Sequence, residues 1–256
     1  MPVTAILMGW TGGGIINGAN VLVTSANVEE SHQPAYFQSI DVPAMGSTSP
    51  YSRYVYAEGL KSSQGSMSFD ISQSASGVLT LLTRGVEFDV SFGDGIRGTG
   101  GSLGGCYVTS LSFSGSVGGL VTGSCSFVSK EEWGGGTGSG PGLDEEPIGY
   151  WKSGGAGNIR DWSLSMSQSA TPIYANEQTA WPNYIKVTTV DYTLTVNSLS
   201  EISTADSVNI GLGTKTISGV ASGSGFSYNG AGDFNTYSYT FESTSGPGGS
   251  GDVLIS

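Results

Sequence analysis

The sequence predicts a mainly β chain: two tandem β-barrel or β-sandwich domains, each with one short helix. Three observations carry this prediction. Runs of β-branched and aromatic residues alternate with Ser and Thr, Gly-rich breaks separate the runs, and the order of runs recurs in the second half.

The runs in the first half are Asn20 to Ala26, Ser66 to Ile71, Phe88 to Phe92, Tyr107 to Phe113 and Val121 to Val128. Met67, Phe69 and Ile71, with Ser66, Ser68 and Asp70 between them, show the period of two most plainly. Ala75 to Arg84 is the helix candidate, because Val78, Leu79, Leu81 and Leu82 form an apolar face and Gly85 follows as a stop. The second half offers strands at Ile185 to Val196, Val208 to Leu212, Ile217 to Phe226 and Tyr237 to Phe241, with a weaker helix near Leu199 to Ser207. The breaks are Gly93-Asp94-Gly95, Gly98 to Gly105 and Gly118-Gly119.

The repeat is one of pattern. Asn20 to Ala26 answers Asp161 to Ser167, and Pro34 and Tyr36 answer Pro172 and Tyr174, 138 residues on. Phe69-Asp70-Ile71 answers Leu194-Thr195-Val196, and Phe88 to Gly93 answers Val208 to Gly213. Phe113-Ser114 answers Phe226-Ser227, and Cys125 to Ser129 answers Tyr239 to Ser243, 114 residues on. The falling offset implies shorter loops in the second copy. The domains expected are 1–133 and 148–245, separated by a Gly/Ser/Pro-rich acidic linker at 134–147 and followed by a tail at 246–256. The tail ends in Val253-Leu254-Ile255, a sequence suited to adding a strand elsewhere or to fraying.

Charged residues are only 12% of the chain, so its surface must meet water with Ser, Thr, Asn and Gly or be covered by other subunits. The formal charge of −12 disfavours nucleic-acid binding through cations on phosphates. It suits the wall of a conduit through which DNA slides. Cys106 and Cys125 are too few for a secreted disulfide framework and read as free buried thiols, with a single disulfide as the alternative. Met1 to Met8 is a poor signal peptide, no apolar run is long enough to span a bilayer, and folding in a cytoplasm is expected.

No constellation for chemistry emerges; no catalytic, cofactor-binding or metal-binding residue is assigned, and an enzyme is not expected. His32, the sole histidine, sits in Glu29-Glu30-Ser31-His32, read as a solvated loop with no nucleophile and base nearby, and a two-His metal site within one chain is excluded. Gly93-Asp94-Gly95-Ile96-Arg97-Gly98 contains G-x-G-x-x-G but opens into further glycines, so a turn cluster is the better reading than a dinucleotide loop. Glu131-Glu132 and Asp144-Glu145-Glu146 read as solvated loop acids rather than calcium ligands or a catalytic pair. Trp133, Tyr150, Trp151, Trp162 and Trp181 read as covers for barrel ends or subunit contacts in preference to a sugar platform.

Three segments carry a family resemblance: the opening Ala19 to Asn27, the polar excursion Glu29 to Tyr56, and Glu58 to Asp70 running into a strand, a short helix and two strand pairs. In order and composition, over roughly 15–130 and 148–243, the chain resembles the tail tube proteins of long-tailed bacteriophages, in a form with two fused tube domains. The resemblance implies that each domain gives four strands to a continuous inner barrel, six domains to a ring. Such a chain then closes as a homotrimer with a pseudo-sixfold ring, and stacked rings form the channel for DNA ejection. Strand spacing and tilt make that barrel about 48 Å across between backbones. The excursion Glu29 to Tyr56, matched by a much shorter Tyr174 to Trp181, is the expected contact to a neighbouring domain or ring. The resemblance further implies a structural virion protein without cofactors, assembled in the bacterial host cytoplasm. Its partners are its own copies, tail terminator and tail tip proteins, and a tape measure protein and double-stranded DNA passing through the lumen without sequence-specific binding or membrane insertion. The alternatives are a two-domain carbohydrate-binding or adhesive β-protein of a phage tail or cell surface and, weakest, a secreted β-sandwich hydrolase.

Overall fold

The computed structural model describes residues 12–41, 51–71, 76–93, 100–135, 152–155, 158–174, 180–202, 208–212, 215–219, 223–227, 236–243 and 253–255. The first half contains β1 (Gly12–Ile16), β2 (Ala19–Asp41), β3 (Tyr51–Ile71), α1 (Ser76–Thr80), β4 (Glu87–Gly93), β5 (Gly100–Ser116), β6 (Thr122–Ser129) and β7 (Gly134–Gly135). The second contains β8 (Lys152–Gly155), β9 (Ile159–Ile173), β10 (Tyr184–Ser198), β11 (Val208–Leu212), β12 (Lys215–Gly219), β13 (Gly223–Ser227), β14 (Thr236–Ser243) and β15 (Val253–Ile255). The fold is mainly β, as predicted.

In the first half β1, β2, β3, β6, β5 and β4 pair in that order, and β4 returns to β1, closing a six-stranded antiparallel barrel. Its first hairpin turns at Asn17-Gly18, with φ of 49° and 74°, an Asn-Gly pair at the two left-handed positions that twist best with a hairpin. Alternation fills the barrel: Val21, Met67, Phe69, Ile71, Leu111, Phe113, Cys125 and Phe127 point inward and are buried. Gly123 lies opposite both Phe69 and Phe113, and a Cβ there would sit 2.5 Å from the Phe69 ring. Its bare backbone makes room for the edge-to-face contact of those rings, whose centroids are 6.5 Å apart.

Five of these six pairings have counterparts in the second half. β9·β10 answers β2·β3, β10·β14 answers β3·β6, β14·β13 answers β6·β5, β12·β11 answers β5·β4 and β11·β8 answers β4·β1. The register also matches across the repeat: Val21↔Ile71 and Val23↔Phe69 become Trp162↔Val196 and Leu164↔Leu194. Between β10 and β14 the register slides by four residues, so that Leu194 faces Phe241 where the first-half pattern would set Tyr237. The predicted strand Ile217 to Phe226 is two strands, β12 and β13, lying in different sheets. No pairing of β8 with β9 is present among the described residues, so the second ring of strands stays open. One consequence is a separate four-stranded sheet, β15-β12-β11-β8, in which the apolar C-terminal end adds a strand to its own chain.

The sheet does not stop between the halves. β5 is long enough to use one edge twice: residues 100–107 pair with β4, and 110–116 pair with β9. An eleven-stranded sheet results, and Trp162, Leu164, Met166, Tyr192, Leu194, Tyr239 and Phe241 belong to the same buried cluster as the barrel. Most of the expected linker lies outside the described residues; its first two, Gly134 and Gly135, form β7 against β5.

The expected helix Ala75 to Arg84 is shorter. After α1 the chain tightens into i→i+3 bonds, with the amides of Leu81, Leu82 and Thr83 donating to the carbonyls of Val78, Leu79 and Thr80. Val78, Leu79, Leu81 and Leu82 are buried as expected, and Gly85 ends the segment at φ 69°. The second half clamps this segment: Tyr192 Oη donates to Leu82 O at 2.5 Å, Arg84 donates to Val187 O at 3.2 Å, and Gly85 N donates to Gln168 Oε1 at 3.3 Å. No helix is present at 199–202; residues 203–207 of the weaker candidate lie outside the described set.

Gln168 follows Ser167, where β5·β9 pairing ends at Ser110, and its amide nitrogen donates to Val108 O two residues farther along β5. A side chain thus continues the ladder where the backbones diverge, and its oxygen serves the Gly85 amide. Gln168→Ala would remove both bonds, the one to Val108 O in a buried site, and is expected to cost about 1–3 kcal/mol of stability by urea denaturation. A loss within experimental error would show that the clamp is dispensable.

Candidate functional site

The strands β2, β3, β6, β5, β9, β10, β14 and β13 form one run of eight, and the face they turn away from the core is lined with hydroxyls. Four cross-strand rows can be followed through the registers. One runs Asn27, Ser66, Ser126, Ser110, Ser167, Asp191; the next Ser25, Ser68, Ser124, Ser112, Ser165, Thr193, Glu242. The third runs Leu22, Asp70, Thr122, Ser114, Ser163, Thr195, Thr240, Gly223, and the fourth Ser116, Asp161, Asn197, Ser238, Gly225. The rows follow from β-strand geometry: a period of two on every strand, held in register, brings like residues side by side at about 4.8 Å.

Neighbouring hydroxyls bond to one another, Ser112 to Ser124 at 2.8 Å and Ser114 to Thr122 at 2.9 Å, and Asn197 donates to Asp161 Oδ1. The rows contain no Lys, Arg or His; their charges are Asp70, Asp161, Asp191 and Glu242. Such a surface is wettable, weakly negative and without the cations that capture phosphates. Asp70 is the most enclosed of its acids, at 9% exposure, and burial raises its pKa above the ordinary 3.8.

Beyond the barrel, β2 and β3 continue as a two-stranded ribbon from Ser31↔Ser62 to Asp41↔Tyr51, about 35 Å at ordinary strand rise. This is the polar excursion Glu29 to Tyr56; its tip, 42–50, lies outside the described residues. The connection between β9 and β10, its shorter counterpart, holds the ribbon's base. Lys61 N donates to Ala180 O at 2.7 Å, Tyr174 Oη donates to Lys61 O at 2.8 Å, and the Lys61 ammonium lies 5.8 Å from the centre of the Trp181 ring.

The residues weighed for chemistry are scattered. His32 is exposed on β2, opposite Lys61. Cys106 and Cys125 are free and buried, and burial pushes the Cys125 thiol up to about 12 and that of Cys106 higher still, so neither is an activated nucleophile. Gly93 ends β4, whereas Asp94 to Gly98 lie outside the described residues. Glu131 and Glu132 are exposed; Asp144, Glu145, Glu146, Tyr150 and Trp151 lie outside the described residues. The aromatics do not form one platform: Trp162 is buried in the shared core, Trp133 packs on Phe92 with ring centres 4.9 Å apart, and Trp181 stands at the ribbon base.

An open polar cleft of about 330 Å³ lies among Asn17, Gly18, Glu87, Phe88 and Asp89. Glu87 is engaged by Lys130 at 2.8 Å and Tyr107 at 2.7 Å; these bonds hold its carboxyl below the ordinary range. Among the described residues no group of three or more His, Cys, Asp or Glu side chains could hold a metal ion, and no helix is long and apolar enough to cross a membrane.

The sequence matches no protein-family model and no curated protein.

Sequence reading detected the Ser/Thr alternation strand by strand and missed the face, which exists only once both halves join through β5·β9. It also missed β1, although Asn17-Gly18 between Ile16 and Ala19 is a hairpin signal.

Asp70 supplies a pH test. A carboxyl whose folded pKa is raised binds more protons folded than unfolded between the two pKa values, so its burden on stability is full above the folded pKa and fades as pH falls through it. Asp70→Asn is expected to raise the urea midpoint at pH 7, with a gain that shrinks towards pH 3.8. An equal gain at both pH values would assign the effect to packing.

Proposed function

We propose that this chain is a structural tail tube subunit of a long-tailed bacteriophage, assembling as trimeric, pseudo-hexameric rings that stack into the channel for DNA ejection. The observation that carries the reading is the run of eight strands. The two halves each supply four of them, β2, β3, β6, β5 and then β9, β10, β14, β13, in matching order. Three chains supply 8 × 3 = 24, the barrel the family resemblance implies.

The hydroxyl rows suit the lumen side of that barrel. Duplex DNA crossing them meets water-like hydrogen-bonding groups and scattered carboxylates, and no lysine or arginine on the four rows to arrest a phosphate. The opposite side is the buried core. The ribbon of β2 and β3, which continues past the barrel and pairs with no third strand among the described residues beyond Ser31↔Ser62, is the candidate contact to the next ring. Domains at 1–133 and 148–245 then act as two tube modules fused through β5·β9. In this reading the protein is not an enzyme, needs no cofactor, and its capping partners are tail terminator and tail tip proteins.

The glycan-binding alternative draws less support, because Trp162 is in the core and Trp133 and Trp181 are committed to separate contacts. Electron microscopy of the purified protein is expected to show rings with threefold symmetry and a near-sixfold outline, alone or stacked. Monomers at every concentration, together with absence of the chain from virion tails, would overturn the proposal; saturable binding on a glycan array would favour the alternative.

A further inference from the structure

Building on the tube reading, we infer that the seam between copies is formed by β13 of one chain and β2 of the next, in the register that β5 and β9 already use inside the chain. Two independent observations lead there. The first is topological. β13 pairs with β14 as the second part of β5 pairs with β6: Ser110↔Ser126 and Phe113↔Gly123 correspond to Gly223↔Thr240 and Phe226↔Tyr237. β2 pairs with β3 as β9 pairs with β10: Val23↔Phe69 and Ser25↔Ser68 correspond to Leu164↔Leu194 and Ser165↔Thr193. β5 and β9 are joined, whereas among the described residues β13 ends the sheet and β2 has no outer partner beyond Val23.

The second observation is a difference in burial at equivalent positions. Phe113, next to the β5·β9 junction and opposite Leu164, is 1% exposed. Phe226, its counterpart on β13, is 57% exposed, although it faces the same side of the sheet and packs on Tyr237 at 4.9 Å between ring centres. A large aromatic bared on the core side of an unpaired sheet edge, where its counterpart is covered by the next strand, suits a surface that another strand would cover. On β2, Ala26 and Val28 present half-buried apolar side chains to the same side, packed on the core.

The register can be carried over residue by residue. Ser110↔Ser167, Leu111↔Met166 and Ser112↔Ser165 translate to Gly223 opposite Asn27, Ser224 opposite Ala26 and Gly225 opposite Ser25 of the next copy. β1 already holds β2 as far as Val23, so the new pairing starts just beyond it. At Gly225 the hydroxyl row ending Ser238-Gly225 runs on into Ser25-Ser68 of the neighbour. The polar face therefore crosses the seam unbroken, and the partner is a second copy of this chain.

Paired cysteines test the register. Gly225→Cys and Ser25→Cys lie at exposed positions, a Cβ at Gly225 has nothing within 4 Å, and the native thiols are buried. Opposed residues of antiparallel strands stand about 5 Å apart at Cα, within disulfide reach, whereas Gly225→Cys with Asn27→Cys does not. With oxidised glutathione the first pair is expected to give covalent dimers and closed trimers of the full chain, and the second to cross-link at least about ten-fold more slowly. Separately, Phe226→Ser removes the ring contact with Tyr237 at an exposed position, so it should leave the monomer's circular dichroism unchanged, lower the urea midpoint only slightly and abolish rings in the microscope. Rings that form without the first cross-link, or a Phe226→Ser chain that assembles like the parent, would overturn the seam and leave the tube standing. Failure of the parent chain to form rings at any concentration would overturn both.

Discussion

Everything in this molecule hangs on β5. By pairing with β4 along its first part and with β9 along its second, one strand closes a barrel and opens a sheet. The bulge where β4 pairing shifts register, around Gly104 and Gly105 with Gly105 at φ 59°, lies just before the point where the strand changes partners. Gln168 secures the divergence by giving its amide to Val108 O, where no β9 backbone reaches. Without that junction the second half would keep a row of free backbone groups and its own exposed apolar face.

The junction also explains why this chain can be so poor in charge. Apolar side chains on one side of the eight strands share a core with the barrel, and the other side is left to Ser and Thr. Hydroxyls satisfy one another across strands, as at Ser112 and Ser124, and need no counter-ions. The rows carry scattered carboxylates and no cation, in keeping with a formal charge of −12 for the whole chain. Here the two thiols are buried and raised in pKa, the lone histidine is on an exposed ribbon, and Glu87 is tied to Lys130 and Tyr107.

The repeat is most instructive where it breaks. Among the described residues β8 does not meet β9, and the long β5 of the first half becomes β12 and β13 in separate sheets. The first half closes into a barrel; no such closure is present among the described residues of the second. Five pairings recur in the second half and one does not, and the side chains record the difference: Phe113 is buried where Phe226, its counterpart on β13, is exposed.

The β class, the burial of Val78, Leu79, Leu81 and Leu82, the stop at Gly85 and the correspondence of Val21 and Val23 with Trp162 and Leu164 were all legible in the residue order. They depend on local periodicity, turn chemistry and the matching of one segment to another. The closure of the barrel, the partner change along β5, the division of Ile217 to Phe226 into two sheets and the alignment of serines into rows were not. Those depend on which distant edges meet, and a period of two states which face a side chain occupies without stating which strand lies beside it. Only the assembled sheet, choosing among edges of nearly equal backbone chemistry by the fit of Phe113, Leu164 and Leu194 beneath it, decided that.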